Sequence, residues 1–287
     1  TVLMTLLRSN LSFSLSLLLF TQLLSLAANA TLIDRGNGLI YDDVLDITWL
    51  KDANYAFTSG YAAANARESA DIFADDNIFP DGRMGWAAAL QWADELDYGG
   101  YNDWRLPAVR PINGIQFLDG EPGTPFAIDG TADLGFAFTG IGWVDHLGQP
   151  ASELGHLFYV TLNNLGICDP TNPIGARFND NLRACLATPQ PGSGFVNGGP
   201  FMNVATDQSD SYWTDREFPT FPESVISFRF GTGFKATDHW DEESFAWAVR
   251  DGDVANAATT VPEPGSLCLA LAAILGLRSK KRVPTTA

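Results

Sequence analysis

The sequence predicts an α+β protein with small antiparallel sheets, one main helix and long loops. Apolar residues make up 46% of the 287 positions, which is enough to bury a core. The 27 glycines and 16 prolines indicate many turns and short strands. One segment has helical periodicity, and several short segments group or alternate apolar residues as strands do.

The first segment of the body, residues 31–52, predicts two or three short strands. Its β-branched and large apolar residues stand in short groups, which Gly36-Asn37-Gly38 and Asp42-Asp43 interrupt. Glycine, asparagine and aspartate favour tight turns. The groups therefore predict a meander of strands.

Residues 84–97 predict the main helix. Apolar residues follow Trp86 after 3, 4, 7 and 10 positions, and Gly99-Gly100 provides a stop signal. A weaker helix is predicted for residues 60–73. Towards the end of the chain, residues 225–230 and 245–249 alternate in the period of two that is typical of strands.

The charge is distributed unevenly along the chain. The net charge is −17, and residues 31–262 contain 12 basic residues against 33 acidic ones. Such a body repels the phosphates of nucleic acids and anionic lipids. We therefore predict no nucleic-acid partner.

Three motifs resemble the DUF1566 family, also called the Lcl C-terminal domain. They are "MGWAAALQWADELDYGGYNDWRLP", "YWTDRE" and "FAWAVRDGD", and the resemblance spans residues 32–253. It implies a C-type-lectin-like fold in which the N- and C-terminal strands pair. The family includes a bacterial surface adhesin that binds sulfated polysaccharides, so the resemblance implies carbohydrate binding. The chain departs from the family pattern at "AVRPINGIQ" and in the longer region 111–210.

Two of these motifs contain arginine close to aspartate. "DWRLP" contains Asp103 and Arg105, and "WAVRDGD" contains Arg250 and Asp251. A guanidinium group can recognise a sugar or an anion. In this apolar context we instead predict structural ion pairs that tie the end of the main helix to the last strand.

The body contains two cysteines, Cys168 and Cys185. In an exported protein they predict a disulfide, with a catalytic cysteine as the alternative. The closed loop would contribute about 3 kcal/mol to stability.

Two acidic segments are candidate Ca²⁺ sites. The first has Asp238, Asp241 and Glu242 around Trp240, whose ring could stack on a sugar. The second contains Asp71, Asp75, Asp76 and Asp81. The alternative for both segments is a solvated acidic surface. Calcium is the only cofactor that the sequence suggests.

The N-terminal residues 1–30 predict a secretory signal peptide. Arg8 precedes an apolar run, and Ala28-Asn29-Ala30 provides a cleavage site with Ala28 and Ala30 as its small residues. The mature chain would then begin at Thr31. A membrane anchor is the alternative.

The C-terminal residues 261–287 resemble the PEP-CTERM sorting signal of Gram-negative bacteria. Pro262, Glu263 and Pro264 precede an uncharged run, residues 265–277, and a basic cluster. As a helix the run would reach about 20 Å, which is too short to span a bilayer comfortably. The resemblance implies transient membrane contact and cleavage by an exosortase-type membrane transpeptidase. A plain anchor is the alternative, and residues 253–260 predict a linker before the tail.

No catalytic motif is recognisable in the sequence. The three histidines do not form a zinc motif, and neither a G-x-S-x-G elbow nor a P-loop occurs. We therefore predict a non-enzymatic, exported protein of the cell surface or matrix, whose domain at residues 31–252 binds carbohydrate. The alternatives are a structural spacer without a ligand and an enzyme that acts on polysaccharide through an Asp/Glu pair.

Overall fold

The computed structural model describes residues 31–69, 74–117, 126–172, 178–219 and 221–255, which form a mixed α+β structure with more strand than helix. The predicted signal peptide and the sorting motif Pro262-Glu263-Pro264 lie outside these residues, as does most of the predicted linker. The described strands are Leu32–Gly36 (β1), Leu39–Asp42 (β2), Ile47–Leu50 (β3), Arg83–Met84 (β4), Phe126–Ala127 (β5), Leu134–Gly135 (β6), Tyr212–Glu217 (β7), Ser224–Arg229 (β8), Phe234–His239 (β9), Ser244–Phe245 (β10) and Val249–Asp251 (β11).

The described helices are short. They are Tyr55–Thr58 (α1), Tyr61–Ala64 (α2), Trp86–Asp94 (α3), Glu153–His156 (α4), which continues as a π-helical segment over Leu157–Thr161, and Phe178–Ala187 (α5). Within the described ranges, no helix is both long and apolar enough to cross a bilayer.

The smaller sheet has the order β1-β2-β3-β11, with every neighbouring pair antiparallel. The predicted meander of residues 31–52 is confirmed as three strands. The last strand, β11, lies against β3, where Val249 faces Trp49. The two ends of the described body therefore meet in one sheet.

The larger sheet has the order β4-β10-β7-β8-β9-β6-β5. Strands β7, β8 and β9 form an antiparallel meander, while the pairs β10-β7 and β5-β6 are parallel. The alternation predicted for residues 225–230 is confirmed in β8. Its inner positions are buried on both faces, because helices and loops cover the two sides of this sheet.

The main helix is shorter than predicted. Met84 belongs to β4, and α3 begins after Gly85. The weaker helix predicted for residues 60–73 forms only as α2, with residues 70–73 outside the description. Gly60, with φ of +80°, separates α2 from the unpredicted α1, because the left-handed region interrupts a right-handed helix.

The sequence analysis did not predict helix α5, but it did predict the disulfide beside this helix. Cys168 and Cys185 are bonded, as the sequence predicts for an exported protein. Both cysteines are buried, and they pack with Phe136 and Ile167 in a small apolar cluster. The bond therefore ties α5 to the loop that precedes it.

Trp247 lies at the centre of an aromatic core. Its ring is 5.2 Å from that of Trp49, 5.0 Å from Phe201 and 5.6 Å from both Tyr212 and Phe230, measured between ring centroids. Its indole N–H donates to the Leu50 carbonyl at 2.7 Å, so the polar atom is satisfied inside the core. This cluster connects both sheets and holds the loops between them.

Candidate functional site

In the first predicted Ca²⁺ segment, the carboxylate of Asp238 is bonded inside the fold. Asp238 is buried at the end of β9. One of its oxygens accepts a hydrogen bond from the Ser227 hydroxyl at 2.6 Å, and the other accepts from the Arg229 guanidinium at 2.7 Å. Both oxygens therefore have internal partners that lie on β8.

The rest of this loop is organised around His239. Its imidazole bonds to Asp241 and, at 3.1 Å, to Glu223. Burial opposes the charged imidazolium, but the two carboxylates outweigh it and raise the pKa of His239. Trp240 is half-buried against the core, and burial raises the pKa of Glu242. Within the described residues, no cluster of three or more metal-ligating side chains occurs.

In the second predicted Ca²⁺ segment, two carboxylates pair with arginines. Asp76 pairs with Arg67 at 3.3 Å, and Asp81 pairs with Arg83 at 2.8 Å. Asp75 accepts from the Ala88 amide through its backbone carbonyl at 3.3 Å. Asp71, the fourth predicted ligand, lies outside the described residues.

Arg105 lies at the centre of an internal ion-pair cluster. Its five N–H donors bond to both oxygens of Glu153, to the Leu106 carbonyl and twice to Asp251, at 2.6 to 3.1 Å. A guanidinium has only five donors, so none remains for a ligand. Arg105 is a structural residue in this arrangement.

Arg250, like Arg105, pairs with the aspartate of the other motif. Arg250 donates twice to Asp103 at 2.8 Å, and its guanidinium carbon lies 4.1 Å from the centre of the Tyr101 ring. The backbones of Arg105 and Val249 also exchange hydrogen bonds at 2.8 and 2.9 Å. The four residues predicted as ion pairs therefore join the segment after α3 to β11, each arginine binding the aspartate of the other motif.

Most basic side chains of the described body have a carboxylate partner. These paired residues are Arg35, Lys51, Arg67, Arg83, Arg105, Arg229 and Arg250. Arg110 and Arg216 are different. Among the described residues the Arg216 side chain has no hydrogen bond or ion pair, and the Arg110 side chain donates only to the Pro150 carbonyl, at 3.1 Å.

These two arginines line one cavity, which we call the arginine pocket. Asp215 on β7 brings them together, because its amide donates to the Pro107 carbonyl and its carboxylate accepts from the Val109 amide, both at 3.1 Å. Each arginine follows one of these joined residues. Burial raises the pKa of Asp215 against the opposing effects of the Val109 amide and the charge of Arg216, and its carboxylate accepts a hydrogen bond from Val109 and from neither arginine.

The arginine pocket encloses about 390 Å³. Val109, Pro111, Ile115, Phe117 and Pro219 line it together with Gln116 and the two arginines, both of which are exposed. A cavity of this size is typical of a small-molecule site. Two cations with free donors in such a cavity favour an anionic ligand.

The sequence analysis did not select Arg110 or Arg216. A signal was available for Arg110, because no acidic residue lies between Asp103 and Asp119 in a chain rich in carboxylates. Arg216 stands between Asp215 and Glu217, which suggests a paired residue. Only the fold shows that the adjacent carboxylate of Asp215 turns to a backbone amide instead.

No family model, curated protein or solved structure matches this chain. The resemblance to the DUF1566 family stays a prediction from the motifs. The arguments for function therefore depend on the geometry of the described residues.

Proposed function

We propose that this protein is an exported, non-enzymatic carbohydrate-binding protein of the cell surface or extracellular matrix. The arginine pocket is its binding site, and it holds an acidic group of a polysaccharide. One observation carries the proposal: a body with 12 basic and 33 acidic residues leaves Arg110 and Arg216 without carboxylate partners in the same cavity.

The chemistry of the pocket suits an acidic sugar. A guanidinium group binds a carboxylate or sulfate through two parallel N–H donors. Pro111 and Pro219 offer surfaces for the C–H faces of a sugar ring. The negative body repels a densely charged polyanion at long range, so we expect a polysaccharide with widely spaced acidic groups.

The C-type-lectin-like fold belongs to the same proposal. It is supported by the pairing of β11 with β3, which brings the ends of the body together, and by the bonds between Arg105 and Val249, which connect two of the family motifs. The loop that follows α3 and the end of β7 carry the arginine pocket. Binding loops on a stable scaffold are the usual arrangement in recognition proteins.

Calorimetric titration of the full chain with trigalacturonate tests the pocket, with neutral galactotriose as the comparison sugar. We expect trigalacturonate to bind, and the double variant Arg110→Gln/Arg216→Gln to bind it about tenfold or more weakly. Arg183→Gln is the matched control, because Arg183 is exposed on α5 and far along the chain from the pocket. Equal losses in the double variant and the control would place binding elsewhere.

The same titration separates the competing hypotheses. No binding of either sugar would favour the structural spacer, while release of shorter sugars would favour an enzyme. Repeating it with Ca²⁺ and with EDTA tests the predicted calcium sites. The arginine pocket needs no metal, so we expect unchanged affinity.

We also propose that the protein is exported and that its C-terminal tail is processed by an exosortase-type transpeptidase. The Cys168–Cys185 disulfide supports export, since such bonds persist in oxidising compartments. Replacing Pro262-Glu263-Pro264 by three alanines should leave an unprocessed precursor in the membrane fraction. Processing at the normal rate would favour a plain anchor or another cleavage site.

A further inference from the structure

A second cavity lies between the two short helices and the main helix. It encloses about 390 Å³. Tyr55 of α1 and Tyr61 of α2 form its aromatic walls, Trp92 of α3 lies at its base, and Glu95 and Asp97 follow α3 at its edge. We call it the tyrosine cleft.

One aromatic wall of this cleft is fixed by its own contacts. Gly60 connects α1 to α2 in the left-handed region. Tyr55 packs edge-on against Tyr98 with ring centroids 4.8 Å apart, and the Tyr98 hydroxyl donates to the Asn37 carbonyl at 2.8 Å. Tyr55 is therefore held in position before any ligand binds, which reduces the entropy lost on binding.

Several polar groups of the cleft have hydrogen-bonding atoms without a partner within the described residues. Neither the Tyr55 nor the Tyr61 hydroxyl has a hydrogen-bond partner among the described residues. Burial, followed by the charge of Glu95, raises the pKa of Tyr61, so this carboxylate lies near the ring. Glu95 accepts one bond, from the Gln91 amide at 2.8 Å, and so retains a free oxygen.

The cleft contains no basic side chain in its described lining. Arg67, the cation that acts on Tyr61, is already paired with Asp76 at 3.3 Å. Asp97 has no ion-pair partner among the described residues. Two exposed carboxylates and two tyrosine rings thus line a cavity whose described lining contains no basic side chain.

We propose that the tyrosine cleft binds a protonated amine carried on a sugar ring, as in an unacetylated amino sugar. Aromatic faces attract an ammonium group, and carboxylates hold it through charge-assisted hydrogen bonds. The free tyrosine hydroxyls and Ser59 then bond to the sugar hydroxyls. The amine assignment depends on the cleft alone, whereas the sugar assignment depends on the proposed function.

The protein would then carry two sites of opposite charge preference. The arginine pocket takes an acidic group, and the tyrosine cleft takes a basic one. A single molecule with both sites can join acidic chains to chains that contain free amines. This arrangement provides cross-linking in a matrix, which a protein with only one site cannot provide unless it oligomerises.

Calorimetric titration of the full chain with a glucosamine tetramer tests this cleft, at a mildly acidic pH that protonates the sugar amines. The fully N-acetylated tetramer and tetralysine are the comparison probes. We expect the glucosamine tetramer to bind about tenfold more tightly than either. Equal binding of the acetylated tetramer would overturn the amine assignment, and equal binding of tetralysine would overturn the sugar assignment.

Variants separate the cleft from general attraction to a negative protein. Glu95→Gln/Asp97→Asn should weaken glucosamine binding about tenfold, while Glu68→Gln/Asp207→Asn removes two exposed carboxylates elsewhere and should change it less than about twofold. Equal effects of the two double variants would overturn the proposal.

The aromatic contribution is tested at Tyr61. Tyr61→Leu should weaken binding about tenfold and Tyr61→Phe about threefold, because phenylalanine keeps the aromatic face. Unchanged binding in both variants would overturn the proposal. Trigalacturonate binding should stay unchanged in every cleft variant, so failure here is distinguishable from failure of the arginine pocket.

Discussion

Arg105 and Arg110 lie five positions apart and have opposite environments. Arg105 has all five donors bonded to protein atoms, mostly carboxylate oxygens of Glu153 and Asp251. Arg110 makes one side-chain bond, to the Pro150 carbonyl, and shares a cavity with Arg216. The comparison shows that the number of unused donors, and not the residue type or the motif, separates a structural arginine from one available to a ligand.

The cause of this difference is the direction in which the nearby carboxylates point. Glu153, at the start of α4, faces Arg105 and also accepts from the Ala108 amide at 2.6 Å. Asp215 lies beside Arg216 in the chain but accepts from the Val109 amide. The Asp215 carboxylate thus bonds to a backbone amide and forms no ion pair with Arg216, on which it acts only through its charge.

Lys235 is expected to give the largest change in stability. Like Arg110 it is a basic residue without an ion pair in the described parts of the chain, but its amino group lies in the interior. It is fully buried, its amino group has no hydrogen-bond partner, and it lies 4.2 Å from the centre of the Trp143 ring. Burial lowers the pKa of Lys235 to about 7, while the charge of Asp133 acts in the opposite direction. We expect Lys235→Met to raise the free energy of unfolding by about 3 kcal/mol at neutral pH, since the buried amine costs more than the ring contact returns.

The pH dependence gives the sign of this effect. Between about pH 7 and pH 10.5 the unfolded chain holds a proton on Lys235 that the folded chain does not, so the stability of the native protein rises with pH in this window. The advantage of Lys235→Met should therefore shrink as pH increases. Urea denaturation at several pH values measures it, with Lys51→Met as the control, because Lys51 is a surface residue paired with Asp34. A stability advantage that is constant across this window would contradict the assignment.

The two arginines themselves give the second test. Arg105→Gln should lower the free energy of unfolding by about 2 kcal/mol, because it leaves the half-buried Glu153 without its cation. Arg216→Gln removes no internal bond and should change stability by less than about 0.5 kcal/mol. Urea denaturation of both variants provides the measurement. Similar losses in the two variants would mean that Arg216 has a structural role.

The sequence predicted best those parts of the fold in which the pattern of neighbouring residues agrees with the contacts made in the tertiary structure. Glycine and aspartate turns placed β1, β2 and β3, and the apolar spacing after Trp86 placed α3. The arginines of "DWRLP" and "WAVRDGD" stood beside aspartates, and each pairs with the aspartate of the other motif. Chain neighbours alone would have paired them wrongly.

The rest of the site depends on contacts between distant segments. Tyr55 and Tyr61 belong to helices of four residues, which have too few positions for a periodic signal. Asp238 was predicted as a ligand because it stands in an acidic run, yet β8 supplies Ser227 and Arg229 to its oxygens. A one-dimensional count of charges cannot show which carboxylates the adjacent strand has already satisfied.

His239 gives the smallest and most specific test, because its charge depends on pH while its partners stay fixed. Glu223 and Asp241 raise the pKa of this half-exposed imidazole against the effect of burial. Its contribution to stability is therefore complete below the unfolded pKa of about 6.5 and is lost as pH rises through the higher folded value. We expect His239→Gln to destabilise the protein by about 0.5 kcal/mol in mild acid and to have no effect well above neutral pH, as measured by urea denaturation at both. An effect of equal size at both pH values would mean that His239 acts through packing against Trp240, whose ring centroid is 5.9 Å away, and not through its charge.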